Sequence, residues 1–288
     1  MATDHHARNG LFLMMAASVV DSTSGLFTRL IGADGFTLAA GRGFAAAFFL
    51  LLILVIRDGR KTWASLRSVG WAGAALVAFN AVGMVLNIMS LATTEVANFF
   101  IIFAVSPFAA AIAARLVLGE KLDAATLLAA LAGFIGIAVM MFGSAGGVGA
   151  LGDYLALLVV VTYCVLILIM RSFPRIDIIP LAAWTTLASG VLALPFAHFP
   201  ALSQHQAGLL VLFGFIQLAG GNLLIFNAMR RISAAQSGLL GIMNAAFAPL
   251  WVFAVLGEVP APRVLVGGAI ILGAALLHLA WTLTRRPA

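Results

Sequence analysis

The chain has 288 residues, of which 63% are hydrophobic and only 9% charged. Soluble domains carry roughly 25% charged residues, so a soluble globular fold is excluded and a polytopic helical membrane protein is indicated. The formal charge of +6 resides in short loops beside apolar runs, the pattern left by membrane insertion rather than by nucleic-acid binding.

Residues 1–9 form a tail that leads into the first apolar run. Arg8 followed by Leu11–Val20 imitates a cleaved signal peptide. Cleavage would leave nine spans, and the run is read as a retained helix. Five spans are expected before the middle of the chain: Gly10–Ile31, Thr37–Ile56, Val69–Ala92, Glu95–Leu118 and Ala124–Gly143. Each is close to the ~20 residues that cross a hydrocarbon layer of about 30 Å. The stretch Gly143–Gly152, GSAGGVGALG, holds five glycines and no charge, and residues 144–152 are read as a linker. Five more spans follow: Asp153–Met170, Ile178–Phe199, Gln206–Met229, Ser233–Leu256 and Arg263–Thr284, with a tail over 285–288. Five is odd, so the repeat over 153–284 enters the bilayer inverted relative to the repeat over 10–143. The expected fold is an all-α polytopic membrane protein, ten transmembrane helices as two inverted five-helix repeats around a central cavity.

The cations support this division. Arg8, Arg57, Arg60, Lys61, Arg67, Arg115, Lys121, Arg171, Arg175, Arg230, Arg231, Arg285 and Arg286 fall on one side, Arg29 and Arg263 on the other, and Arg42 within a span. The positive-inside rule then places both termini in the cytoplasm. The halves also echo each other. Leu118–Gly119–Glu120 recurs 138 residues later as Leu256–Gly257–Glu258, and Gly83 maps onto Gly221. A shift of 142 aligns Gly10 with Gly152 and Arg29 with Arg171.

The paired Leu-Gly-Glu ends of helices four and nine each precede a small-residue-rich helix, Leu127–Met141 and Val264–Leu277. With Pro107 in helix four and Arg42 near the start of helix two, they make the chain resemble the drug/metabolite transporter (DMT) superfamily in its EamA-type arrangement. Within it the chain most resembles YddG-type exporters of aromatic amino acids. It departs from the family in having Ala245 where Pro107 would repeat, with Pro249 one turn later, and in Asp21–Ser22–Thr23 of helix one. The resemblance implies helices five and ten at the periphery, the other eight around the cavity, and export of small metabolites.

Ionisable groups in hydrocarbon are costly and face a cavity or a partner. Of ten acids only Asp21 is read as deep in a span. It is expected either to bind a substrate ammonium or a proton, or to pair with Arg42 or nearby hydroxyls such as Ser18 and Ser22. Arg42 is expected to snorkel to the outer interface. Amides that offer both donor and acceptor suit a zwitterionic solute: Asn80 and Asn87 on helix three, Asn98 on helix four, Gln217, Asn222 and Asn227 on helix eight, and Asn244 with Ser237 on helix nine. Interhelical hydrogen bonding is the other reading of each. Tyr163 is a candidate for stacking on a substrate ring and Trp184 either lines the pocket or faces lipid, whereas Phe99, Phe100 and Phe103 are expected to pack. Pro107 and Pro249 should kink helices four and nine, as a hinge or as static bends. Glu120 and Glu258 are expected to cap or pair locally.

No nucleophile elbow, HExxH or phosphate loop is present, Cys164 is alone in an apolar run, and no catalytic residue, metal or cofactor is expected. The expected partners are a small solute, amino acids foremost, and the lipid bilayer, with no nucleic acid; coupling to a proton through Asp21 and facilitated diffusion are both open. Other metabolites or cationic drugs are the alternative cargo. Two other classes, an intramembrane enzyme acting on lipid and a non-transporting scaffold, predict a His/Asp/Glu cluster at one face and a dry centre respectively.

Overall fold

A computed structural model of the chain describes residues 2–119, 124–141, 149–172, 177–199, 202–229, 231 and 239–284. Hydrocarbon offers backbone N–H and C=O groups no partner, so apolar runs must close those bonds internally, and helices do so. Among the described residues every element is helical. The first rod is α1 (Ala2–Ser22) and α2 (Ser24–Ile31), then come α3 (Gly35–Asp58), a short α4 (Thr62–Arg67) and α5 (Gly70–Thr93). The fourth rod is α6 (Val96–Phe103) plus α7 (Ser106–Leu118), and α8 (Ala124–Met141) ends the first half. The second half holds α9 (Ala150–Ser172), α10 (Ile178–Ala193), α11 (Gln204–Leu212) continuing into α12 (Gly221–Met229), α13 (Leu239–Leu256) and α14 (Pro262–Thr284). Six described stretches are long and apolar enough to cross a membrane: Gly35–Arg67, Gly73–Thr93, Val96–Leu118, Ala150–Ile169, Ile178–Phe196 and Gln204–Ile225. Ala124–Val139, Met243–Leu256 and Pro262–His278 are shorter apolar helices.

Among the described residues three rods are interrupted. The first breaks at Thr23, where the Ser22 and Thr23 hydroxyls donate to the carbonyls of Val19 (2.8 Å) and Val20 (2.6 Å) and compete with the helix ladder. The fourth breaks between α6 and α7. Pro107 sits in the first turn of α7, and its missing N–H leaves the Phe103 carbonyl at the end of α6 without a ladder partner, so the interruption falls at the expected kink. Pro249 is inside α13, as expected. The third interruption has no proline: Phe213–Gly220 winds as a π-helix between α11 and α12. Such wide turns are rare and occur often at functional sites.

The Leu-Gly-Glu motif is a helix stop. Gly119 and Gly257 both have φ of +70°, and their N–H groups close on the carbonyls of Arg115 and Phe253. Only glycine takes that left-handed cap without strain. Glu120 and Ser237, like most of the linker, lie outside the described residues; α9 begins at Ala150, three residues before the expected start.

Hydrogen bonds between distant loops show that successive rods reverse direction. At one end His198 N donates to Thr37 Oγ1 (2.7 Å), Gln206 Nε2 to the Ile31 carbonyl (2.7 Å), and Ser90 Oγ to the Gly152 carbonyl (2.7 Å). At the other end Arg57 donates to Asp177 (2.8 Å), and Trp184 Nε1 to the Leu66 carbonyl of α4 (3.1 Å). α8 and α14 lie along each other, with Gly136 against the Gly267 carbonyl, the small-residue contact that lets membrane helices approach closely. Asp34 caps α3 by accepting from Thr37 N (2.9 Å) and Thr37 Oγ1 (2.5 Å). Asp34→Ala should therefore cost about 1 kcal/mol of stability, read as a lower thermal midpoint in detergent.

Candidate functional site

Asp21 lies two residues before the first rod's break at Thr23, and two other rods aim three polar side chains at it or its neighbour. Gln217, carried by the π stretch, donates from Nε2 to Asp21 Oδ1 at 2.9 Å. Asn244 of α13 donates to Asp21 Oδ2 at 3.5 Å, and its own Oδ1 is buried without a partner. Gly221 brings backbone against the carboxylate; a Cβ there would stand 3.3 Å from Asp21 Oδ1. The neighbouring Ser22 hydroxyl accepts from Trp251 Nε1 at 3.0 Å.

Arg42 does not snorkel. It is 3% exposed, donates to Gln217 Oε1 at 3.5 Å and to the Met84 carbonyl at 3.2 Å, and lies 5.2 Å above the Phe213 ring. Phe213 stacks in turn on Phe27 at 5.1 Å. Close packing explains the inward turn. A side chain at Gly43 would meet the Thr186 carbonyl, and one at Gly214 the Arg42 carbonyl, so α10 and the π stretch pack closely on the α3 backbone beside Arg42. A guanidinium has five N–H donors, and two bonds leave donors to spare. Asp21 and Arg42 are not directly paired: the Gln217 amide stands between them, its nitrogen toward the acid and its oxygen toward the cation. Neither of the two cavities described encloses this cluster. In this conformation the cluster is a polar bridge in which Arg42, Gln217 and Asn244 are buried and Asp21 is half-buried.

The other candidates scatter. Asn98 belongs to a second network, where Asp153 Oδ1 accepts from Thr94 Oγ1 (2.5 Å) and Asn98 Nδ2 (3.1 Å). Trp184 is tied to Leu66 at the far end, packed beside Leu181 and Leu76. Asn227 is exposed and donates to the Leu223 carbonyl at 2.8 Å. Asn80 and Asn87 are half-buried, and among the described residues they make no hydrogen bond to the cluster. Tyr163 meets Phe103 edge-on at 5.4 Å. Asn222 is half-buried beside Gly221, with its Nδ2 unpartnered.

Two acids fall differently from expectation. Asp153 is only 3% exposed, more enclosed than the half-buried Asp21. Its place near the start of an apolar run hides that, because the 93–94 turn folds over it. Glu258 pairs across the molecule, not locally. Its Oε2 accepts from Arg29 Nε at 3.2 Å, while Arg29 also donates to the Thr94 carbonyl at 2.6 Å. Glu95 accepts from the Ala261 N–H at 3.4 Å. The helix stop at Gly257 swings Glu258 toward the first rod, which a motif read along the chain does not reveal. Beside these groups is a space of about 10 Å³ lined by Glu95, Pro249 and Glu258, room for about one water.

The EamA-like transporter family matches the chain twice, over residues 8–142 and 150–280. The chain belongs to the EamA-like transporter family. Two matched copies in one chain mean a two-repeat architecture, and membership makes this a multi-pass membrane transporter of small molecules. A solved crystal structure shares the EamA-like chain's fold with a TM-score of 0.67, at 19% identity, covering 96% of this chain and 99% of that one. No curated protein matches it by sequence.

Proposed function

We propose that this chain is a secondary carrier that exports zwitterionic metabolites, amino acids foremost, across a bacterial inner membrane by alternating access. The observation that carries this reading is the Gln217 amide held between Asp21 and Arg42. An amide is a small dipole with a donor end and an acceptor end. An amino acid presents the same polarity more strongly, with an ammonium and a carboxylate. When Gln217 swings aside, the ammonium donates to Asp21 Oδ2 and to the unpartnered Asn244 Oδ1, and the carboxylate takes the spare donors of Arg42. Charge-assisted bonds of this kind are roughly twice as strong as the neutral ones they replace. The Phe27–Phe213 stack under Arg42 supports an aromatic side chain among the substrates, in line with the YddG-type resemblance.

The cation segregation and the reversal of successive rods support a reading of ten crossings, with the repeat over 153–284 inverted relative to that over 10–143 and both termini cytoplasmic. On this reading the Arg29–Glu258 end faces outward and is shut in the present conformation. Counterflow into liposomes against a panel of amino acids, nucleosides and cationic drugs tests the assignment. Amino acids should exchange and amines lacking a carboxylate should not. Exchange of cationic drugs alone would leave Arg42 without a role and favour a drug exporter.

A further inference from the structure

The larger cavity described, about 460 Å³, is a groove between α1 and the eighth rod. Leu13, Val20, Phe215, Ile216, Leu223 and Leu224 line it, Gly220 marks one point along it, and Asn227 and Arg231 are its polar members. Its volume is that of a ligand site, and in a membrane-spanning chain a groove on the side of a helix pair opens to hydrocarbon. We infer that it holds one acyl chain of an anionic phospholipid, with the headgroup phosphate on Arg231.

Depth and charge both point to that occupant. Gly220 adjoins Gly221, whose backbone meets Asp21, and Arg231 follows eleven residues later. At ~1.5 Å per residue that is about 16 Å, against about 15 Å for the hydrocarbon of one leaflet. The groove thus runs from the level of Asp21 to headgroup level in a single leaflet. Arg231 sits just past the end of α12, its N–H on the Ala228 carbonyl, and among the described side chains it has no acidic partner. It lies on the side of the chain that carries most of the lysines and arginines, which concentrates anionic lipid there. A zwitterionic headgroup brings its own cation beside the phosphate and compensates Arg231 less.

The lipid also has something to act on. Phe215, Ile216 and Gly220 belong to the π stretch that carries Gln217. A chain in the groove supports from behind the turn whose other face bridges Asp21 and Arg42. The inference holds whatever solute is carried.

Native mass spectrometry of the full chain, with phosphatidylglycerol and phosphatidylcholine of identical acyl chains, tests it. The wild type should retain one phosphatidylglycerol in preference to phosphatidylcholine. Arg231→Gln should lower that preference about fivefold, and Arg231→Lys should keep it. Leu223→Trp, which fills the groove, should weaken retention of both lipids. The same preference in Arg231→Gln would overturn the inference, as would undiminished retention in Leu223→Trp. Displacement of the lipid by a transported solute would also overturn it, because the groove would then be a solute path.

Discussion

Asp21→Asn should cut amino-acid exchange roughly ten- to a hundredfold while leaving the chain folded. A hydrogen bond to a charged group contributes about 1.5–3 kcal/mol, and the asparagine removes the charge while keeping an acceptor for Gln217. The substitution also leaves Arg42 buried without a counter-charge, and breaking a buried pair costs up to about 3–5 kcal/mol. Because Gln217 stands between the two groups, the loss here should fall below that range. Thermal unfolding in detergent should show a lower midpoint for Asp21→Asn, recovered when Arg42→Gln is added. Exchange should not recover in the double variant, because both ends of the zwitterion then lose their partners. That split separates substrate contact from a structural role: if the double variant regained transport with stability, the cluster would be scaffold. The pH profile of exchange in Asp21→Asn tests proton coupling separately. An unchanged profile would remove Asp21 as the coupling group.

Breaking the Arg29–Glu258 contact is expected to open the end at which it lies. The pair joins the first rod to the α13–α14 turn, and Arg29 also holds the Thr94 carbonyl, so one guanidinium gathers three segments. Both side chains are more than a quarter exposed, and solvent screening limits the ion pair to about 1 kcal/mol or less. With the charge-assisted bond to Thr94 the total is about 1–2 kcal/mol, hence a shift of about tenfold between closed and open forms. Val252 is 2% exposed and lines the small space beside Glu258. In a Cys164→Ala background, a cysteine at Val252 should react with an impermeant thiol reagent about tenfold faster when Arg29→Gln is added. The charge swap Arg29→Glu with Glu258→Arg should restore slow labelling in part, because a glutamate at 29 cannot donate to the Thr94 carbonyl, and high salt should partly mimic the break. Equal labelling in all of these proteins would show that the contact closes nothing. In sequence Arg29 and Glu258 match Arg171 and Glu120 of the other half, so the two residue types belong to the repeat rather than to one helix end.

The helical class, the doubled architecture and the reversal of successive rods are legible because membrane insertion writes them in hydropathy and in cation placement. Asp21 stands out for the same reason: one acid in a long apolar run must be satisfied by something. Its partners are less legible. Gln217 and Asn244 are visible as amides, but their convergence on one carboxylate depends on a π turn, which rotates Gln217 in a way no simple helical period predicts. Arg42 looks in sequence like a snorkelling residue because its place near a helix start suggests an interface. Glycines 43 and 214 admit neighbouring backbones that pack closely beside it, and that is a tertiary effect. Asp153 and Glu258 depart from expectation for a related reason. Both lie near helix ends, where a sequence suggests solvent, yet a loop distant in the chain folds over one and an arginine distant in the chain pairs with the other. Trp184 shows the converse: a mid-run aromatic is held by a carbonyl of the short helix α4, an element that composition alone does not announce.

The central claim is that the Asp21–Gln217–Arg42 bridge is a solute site reached from each side of the membrane in turn. The most direct test is sided labelling of a cysteine at Asn244, in a Cys164→Ala background, with an impermeant reagent added to sealed vesicles of each orientation. Alternating access predicts reaction from both sides and protection by a transported amino acid in both cases. Reaction from one side only, or protection by no amino acid that exchanges, would contradict it.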